Sequence, residues 1–180
     1  GAVYPGGDTS APYVIFNLGA TDVTYGEYYS MFRESDLEKL RRFLESIDGS
    51  GRLIVVNSHW PLHYAFNSSH REVKNAEILI DLLNEYAAKN DILFVWGHNH
   101  NGDPAMLTAR GAGDAIICDK DGKITRKLRF TYANAGAMVY GTALLVRFDE
   151  RSLYLTYYSL PSGISDTLTE SGSYMFKRVS

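Results

Sequence analysis

Three histidines at two points of the chain offer the clearest chemistry in the sequence. His98 and His100 stand one residue apart, just after the apolar run Ile92–Trp96, and His59 follows a second apolar run, Leu53–Asn57. Neutral imidazole is the commonest protein ligand of transition metals. We therefore expect His59, His98 and His100 to bind metal. The alternatives are a polar loop with solvated histidines for the pair, and a buried histidine bonded to a backbone carbonyl for His59.

The two apolar runs are typical of buried strands in a parallel sheet. Tyr13–Leu18 is another such run, and segments with apolar residues at helical spacing lie between the runs, over 37–47 and 73–87. The resulting β-α-β-α-β order predicts parallel strands joined by right-handed crossovers. In such a sheet ligands bind at the carboxyl ends of the strands, which is where the histidines fall.

Two capping boxes are predicted to start these helices. Ser35–Glu38 and Ser69–Glu72 each place a serine three residues before a glutamate. In a capping box the serine oxygen and the glutamate each accept a free amide of the first turn. His70 falls within the second box, and we expect it to be an exposed residue of that first turn.

Beyond Asp103 the pattern changes to segments typical of antiparallel strands. Asp121-Gly122 marks a tight hairpin between two of them. The expected strands are Ala115–Asp119, Lys123–Phe130, Thr142–Phe148, Leu153–Ser159 and 173–179. The sequence therefore predicts an antiparallel second half.

Composition bounds the class of protein. The chain has 180 residues, enough for a single domain, and its net charge of −3 comes with scattered basic residues, so no nucleic-acid surface is expected. No apolar run approaches the ~20 residues of a membrane span. Cys118 is the single cysteine, which excludes an internal disulfide, and we expect it to be a small core residue. The thirteen tyrosines lean towards an exported protein, and localisation is otherwise open.

Three motifs give the chain a resemblance to a known family. They are the strand-then-histidine segment Val55–Leu62, the Gly-His-x-His motif Gly97–His100 and the Asn-x-Gly strand Tyr132–Gly136. In order and spacing, over residues 13–160, the chain resembles the C-terminal half of a calcineurin-like metallophosphoesterase. The resemblance implies an α/β (α+β) fold, the C-terminal portion of a four-layer α/β/β/α sandwich. Residues 1–180 would then be a single, partial domain without its upstream half.

The resemblance also implies a site with two divalent metal ions about 3.5–4 Å apart. His59 and His98 would bind one ion and His100 the other, and the ions would be manganese, iron, zinc or nickel. A water activated by the ions would attack a phosphate mono- or diester. His63 and Asn99 are candidates for contacting that substrate.

The family's remaining ligands come from three upstream motifs, Asp-x-His, Gly-Asp and Gly-Asn-His. The first and third are absent here, and Gly7-Asp8, which has no strand before it, is not assigned the role of the second. The family's catalytic histidine belongs to Gly-Asn-His, so no catalytic residue is expected in this chain. We expect the chain to supply the downstream half of a phosphoesterase, to need the upstream half as its partner, and to be poorly active alone.

Residues around the histidines have structural interpretations as well. Trp60 and Trp96 are expected in the core or in the wall of the site. Asn57 is a candidate for orienting a ligand. Asn134 and Gly136 are expected to shape a turn beside the site.

Two other functions are consistent with the same residues. One is a non-catalytic binding or scaffold module that keeps the sheet but has lost the metal site. The other is a mononuclear three-histidine protein of the cupin type. That protein would place its histidines on one antiparallel barrel and a glutamate shortly after His-x-His, whereas Asn101–Pro104 follows here.

Overall fold

The described residues fold into a mixed α/β structure with two α-helices and several small sheets. The structure is a computed structural model and describes residues 11–19, 21–22, 30–64, 72–98, 108–160 and 167–179. The α-helices are α1 (Glu34–Ile47) and α2 (Ala76–Tyr86), and a 3₁₀ turn spans Met138–Tyr140. The strands are β1 (Tyr13–Leu18), β2 (Thr21–Asp22), β3 (Ser30–Met31), β4 (Leu53–Ser58), β5 (Val73–Lys74), β6 (Ile92–Trp96), β7 (Ala109–Arg110), β8 (Ala115–Ile117), β9 (Thr125–Lys127), β10 (Thr131–Asn134), β11 (Thr142–Phe148), β12 (Ser152–Ser159) and β13 (Thr169–Lys177).

A five-stranded sheet with the order β1-β4-β6-β10-β7 forms the centre of the fold. Its first four strands are parallel, and β7 is antiparallel to β10. Both faces of β4 and β6 are covered, which explains why their sequences are continuous apolar runs. The predicted β-α-β-α-β order of parallel strands is therefore confirmed.

The helices cover one face of this sheet. Leu40 and Leu44 of α1 and Leu79 and Leu83 of α2 are fully buried. They join a core cluster that also contains the side chains of β1, β4 and β6 on that face, Phe16, Ile54, Val56 and Phe94 among them. The helical spacing of the leucines in the sequence corresponds to this buried stripe.

A second sheet packs on the other face. It is antiparallel with the order β11-β12-β13, and Leu153 and Leu155 of β12 meet Leu53, Leu93 and Ala133 of the central sheet. The described residues thus form helix, sheet and sheet layers in turn. This confirms the expected α+β class.

Neither helix begins at the capping box that was predicted to start it. Helix α1 begins one residue before Ser35, after Arg33, and has no side-chain cap. Helix α2 follows Asn75, whose φ of 66° is left-handed, a conformation that asparagine tolerates better than most residues. The side-chain Nδ2 of Asn75 donates to the carbonyl of Phe32 (2.8 Å), so a tertiary contact fixes this helix start. Ser69, His70 and Arg71 of the second box lie outside the described residues.

The second half is only partly antiparallel, which corrects the expectation. β10 joins the central sheet in parallel with β6, with Thr131 opposite Leu93. The β8–β9 hairpin around Asp121-Gly122 is confirmed. Its loop is wider than a two-residue turn, because the Asp119 carboxylate accepts the amides of Lys123 and Ile124, and the Ile124 bond in particular lowers the pKa of Asp119.

Two smaller expectations about the second half can be compared with the structure. The last strand, β13, covers Thr169–Lys177, so it begins earlier than the predicted 173–179. Cys118 is a buried core residue, as expected, and burial raises the pKa of its thiol to about 11. Among the described residues no helix is long and apolar enough to cross a membrane.

The C-terminal end of β13 is fastened to the base of the central sheet by Arg178. Its guanidinium pairs with the Asp91 carboxylate at 2.8 Å, and both side chains are 7% exposed. It also donates to the carbonyls of Asp149 (2.6 Å) and Gly51 (3.1 Å). A buried charge is tolerated only when it is paired, so these contacts depend on one another.

Removing the Arg178 charge should therefore destabilise the fold strongly. We expect Arg178→Met to lower the free energy of unfolding by about 3 kcal/mol, because the buried Asp91 carboxylate, which also accepts the amide of Val179, loses its cationic partner. Arg126→Met is the matched control, since its pair with Asp81 is far more exposed (35% and 56%) and should be worth less than about 1 kcal/mol. Urea denaturation measures both. Equal losses in the two variants would contradict the importance of burial.

Candidate functional site

The candidate site lies where β4 and β6 end. His59 follows β4 directly, and Gly97 and His98 follow β6. In the sheet register Ser58 lies opposite Trp96, so the two chains leave the sheet side by side. The amide of Gly97 donates to the carbonyl of His59 (3.3 Å), which continues the strand pairing by one step beyond the sheet.

This pairing brings two imidazoles together. Nε2 of His59 and Nδ1 of His98 are 3.4 Å apart, and the ring planes meet at 80°. Protein hydrogen bonds donated by N–H groups are usually shorter, at about 2.7–3.2 Å. Two nitrogens that bind one tetrahedral zinc ion at 2.0–2.1 Å are about 3.3–3.4 Å apart. The distance therefore fits a pair of nitrogens that share one metal ion.

Trp60 supports both rings. Its indole lies against the His98 ring, with centroids 3.9 Å apart and a tilt of 38°, and meets the His59 ring edge-on at 5.2 Å. Trp60 itself is 4% exposed. The expectation that Trp60 belongs to the core or wall is confirmed, and this wall touches both candidate ligands.

The backbone of His98 is strained. Its φ of 63° is left-handed, which is uncommon for a residue other than glycine and costs roughly 1–3 kcal/mol. Strain of this kind persists only where the surroundings enforce it, and it is found preferentially at functional sites. The Trp60 contact and the Gly97 hydrogen bond are among the contacts that hold this turn.

His63 occupies a separate pocket against Tyr132 and Trp96. Its Nδ1 is 2.8 Å from the Tyr132 hydroxyl, and its ring lies edge-on to Trp96 at 4.9 Å. Burial, helped by the positive charge of Arg110, lowers the pKa of His63 to about 4. His63 is therefore neutral at physiological pH.

The asparagines at the strand ends bond to the backbone or to one another. Oδ1 of Asn134 accepts the amide of Gly136 (2.6 Å), and Gly136 has a left-handed φ of 76°, so the predicted turn is confirmed. Asn57 donates to Asn17 on the neighbouring strand (3.2 Å). Within the described part of the chain, the buried donors Nδ2 of Asn134 and Nε1 of Trp96 have no hydrogen-bond acceptor.

The structure describes only part of the predicted site. It brings His59 and His98 together, whereas His100 and the substrate candidate Asn99 lie outside the described residues. Across residues 11–19, 30–64, 72–98, 108–160 and 167–179, no group of three or more His, Cys, Asp or Glu side chains is arranged to hold a metal ion. The assignment of His59, His98 and His100 as ligands thus stays a prediction.

The described strands also bear on the cupin alternative. A cupin-type site needs histidines on one antiparallel barrel, but the strands that precede His59 and His98 are parallel neighbours in an open sheet. This arrangement contradicts the cupin alternative.

Comparison with known proteins supports the fold. No protein-family model matches the chain, and no curated protein does. Among solved structures the chain is similar to a dimetal phosphatase from Danio rerio, with a TM-score of 0.51 and 13% sequence identity. The likeness covers 82% of this chain and 38% of that one, so the chain spans well under half the length of the phosphatase. At this identity the likeness shows a shared arrangement of strands and helices.

The sequence does not indicate the contacts of one residue beside the site, Tyr132. It belongs to the Asn-x-Gly strand, but its hydroxyl bonds the amide of Leu62 (2.9 Å) and Nδ1 of His63, which are about seventy residues away in sequence. No local pattern could have indicated this contact, because it depends on β10 lying beside β6.

The depressed pKa of His63 predicts a pH-dependent stability. In the unfolded chain the imidazole titrates near 6.5, so between pH 6.5 and 4 the unfolded state binds a proton that the folded state rejects. The free energy of unfolding should therefore fall as the pH drops through this window, by about 3 kcal/mol in total from this group. His63→Gln has no such proton. Urea denaturation between pH 7 and 4 should show wild type losing more stability than the variant, and parallel curves would contradict the assignment.

Proposed function

We propose that the chain is the downstream part of a metal-dependent phosphoesterase of the calcineurin-like type. The 3.4 Å separation of the His59 and His98 nitrogens carries the proposal, because it fits two ligands of one ion. The position of the pair at the carboxyl edge of a parallel sheet supports it, as this is where such folds bind ligands. The similarity to a dimetal phosphatase is consistent with it.

In this proposal the residues of the chain hold metal and do not perform proton transfer. His59 and His98 give neutral nitrogen ligands to one ion, and His100 gives a ligand to a second. The ions, when bound, would polarise the phosphate ester and lower the pKa of a water that attacks it. Trp60 restricts the rings of His59 and His98 so that their nitrogens converge.

In this proposal the chain supplies only some of the metal ligands. Imidazoles are uncharged, so three of them leave the charge of two divalent ions without compensation, and carboxylates are the usual hard partners. We assign these carboxylates and the catalytic histidine to the upstream half of the domain, the proposed partner. Residues 1–180 then form one partial domain, the downstream part of the α/β/β/α sandwich.

The substrate of the proposed enzyme is a phosphate mono- or diester. His63 and Asn99 remain the candidates for contacting it. The Tyr132 hydroxyl lies at Nδ1 of His63. The other ring nitrogen of His63, Nε2, is therefore the one that can donate a hydrogen bond to the substrate. Export of the protein stays a prediction from its tyrosine content alone.

A non-catalytic binding module is the second candidate, and one observation favours it. A groove of about 430 Å³ runs between the two sheets, lined by β1, β4 and β11. Tyr13 and Ile15, on its rim, are 45% and 37% exposed. An apolar groove of this kind suits a protein partner, which the module would bind without using the histidines.

Metal binding separates the two candidates. We expect zinc or nickel, added to the isolated chain and followed by calorimetry, to bind weakly and to lose binding in His59→Ala and in His98→Ala. His70→Ala is the control, because none of the motifs that define the proposed site contains His70. Retention of binding in both site variants would refute the assigned ligands, whereas binding lost in the control as well would indicate a nonspecific histidine effect.

Phosphatase activity should be nearly absent from the isolated chain. Without the upstream carboxylates and the catalytic histidine, the proposed dinuclear site cannot assemble. Hydrolysis of p-nitrophenyl phosphate with added manganese measures this, with an intact homologue as the reference. Turnover comparable to that of the homologue would show that the chain contains the complete machinery.

A further inference from the structure

We infer that Tyr132 is a positioning residue for the His59–His98 pair and acts through the segment Ser58–His63. The purpose of this role rests on the proposed function, but its geometry stands on described contacts. Tyr132 is 2% exposed, and its ring is stacked between its neighbours Phe94 and Trp96, with each centroid 5.8 Å away. The hydroxyl is thus held at a fixed point beneath the carboxyl edge of the sheet.

That hydroxyl makes two directed hydrogen bonds to the segment after β4. It accepts the amide of Leu62 at 2.9 Å and lies 2.8 Å from Nδ1 of His63. An amide can only donate, so the Leu62 bond uses a lone pair of the hydroxyl and leaves its proton for His63. With Nδ1 of His63 as the acceptor, both bonds are satisfied at once, and the hydroxyl cannot rotate without losing one.

The segment Ser58–His63, which links His59 to the residues that Tyr132 contacts, is short and stiff. The amide of Trp60 donates to Oγ of Ser58 (3.1 Å), and the ring of Pro61 fixes its own φ. The carbonyl of His59 is held by the amide of Gly97 (3.3 Å). The Tyr132 bonds fix the far end of this segment from another strand, so they set the direction in which His59 leaves the sheet.

A ligating side chain binds its ion more tightly when supporting hydrogen bonds already fix its orientation, because the side chain need not be reordered on binding. Removal of such supporting hydrogen bonds commonly weakens metal binding 10–100-fold. Tyr132→Phe deletes the hydroxyl and keeps the stacked ring. We expect the affinity of the chain for zinc to fall about tenfold, in line with that range.

Tyr157→Phe is the matched control. Tyr157 is as deeply buried, and its single hydroxyl proton is shared between the carbonyls of Thr108 and Asn134 (2.9 Å each). None of the contacts described for Tyr157 is to the segment Ser58–His63. Both variants lose a buried hydroxyl, so they should lose similar stability. Only Tyr132→Phe should weaken zinc binding, and an affinity within twofold of wild type would overturn the inference.

A readout without metal makes the test independent of the proposed function. Tyr132→Phe should speed hydrogen exchange of the Leu62 amide about tenfold or more, as one hydrogen bond is lost. It should also shift the imidazole carbon–proton NMR resonance of His59, while Tyr157→Phe leaves that resonance unchanged. If wild type binds no zinc, the proposed function fails, and the NMR comparison still decides the inference: an unmoved His59 resonance overturns it.

A second substitution covers the case in which Tyr132→Phe does not fold. His63→Leu removes the acceptor of the hydroxyl proton and keeps the Tyr132 side chain. It should move the His59 resonance in the same direction as Tyr132→Phe. A folded His63→Leu variant with an unchanged His59 resonance would contradict the proposed route from Tyr132 to His59.

Discussion

The parallel register of β4 and β6 is the constraint on which the candidate site depends. Adjacent strands lie about 4.8 Å apart, so residues that leave the sheet from paired positions begin as close neighbours. Ser58 lies opposite Trp96, and the Gly97–His59 hydrogen bond extends the pairing by one step. Two imidazoles that are thirty-nine residues apart in sequence therefore meet at 3.4 Å. A shift of the register by one residue would turn one ring to the other face of the sheet.

The layers on either side of the sheet keep this register. β4 and β6 bury side chains against the helices on one face and against β12 on the other. Sliding either strand would therefore disrupt the apolar packing on both faces of the sheet. The buried pair of Arg178 and Asp91 fastens the second sheet to the base of the central one. Because the core and the base of the central sheet are firmly packed, the fold tolerates the strained backbone of His98 at the carboxyl edge of the sheet.

Sequence predicted the parts of this structure that depend on local pattern. The apolar runs gave β1, β4 and β6 with nearly correct bounds, and the position of His59 and His98 at the strand ends followed from them. The start of α2 was wrong because a tertiary contact, the hydrogen bond from the Asn75 side chain to the carbonyl of Phe32, fixes it in place of a local cap. The parallel pairing of β10 could not be predicted either, since alternation of apolar residues indicates a strand without naming its neighbour.

The same limit explains why Tyr132 escaped notice. Its hydroxyl serves a loop that is distant in sequence, and a tyrosine within an apolar strand is ordinarily a core residue. Only the placement of β10 beside β6 shows that the Tyr132 hydroxyl forms hydrogen bonds with Leu62 and His63.

The balance between an enzyme fragment and a binding module turns on the strain at His98. A left-handed, non-glycine residue costs free energy in every folded molecule, and a module that uses the groove between its sheets gains nothing from it. Substitution of His98 by glycine would relieve that cost without loss to such a module. In the proposed phosphoesterase the imidazole has a use at this position, since its nitrogen is turned towards His59 and its ring is seated on Trp60. The local geometry of His98 thus supports its proposed role as a metal ligand.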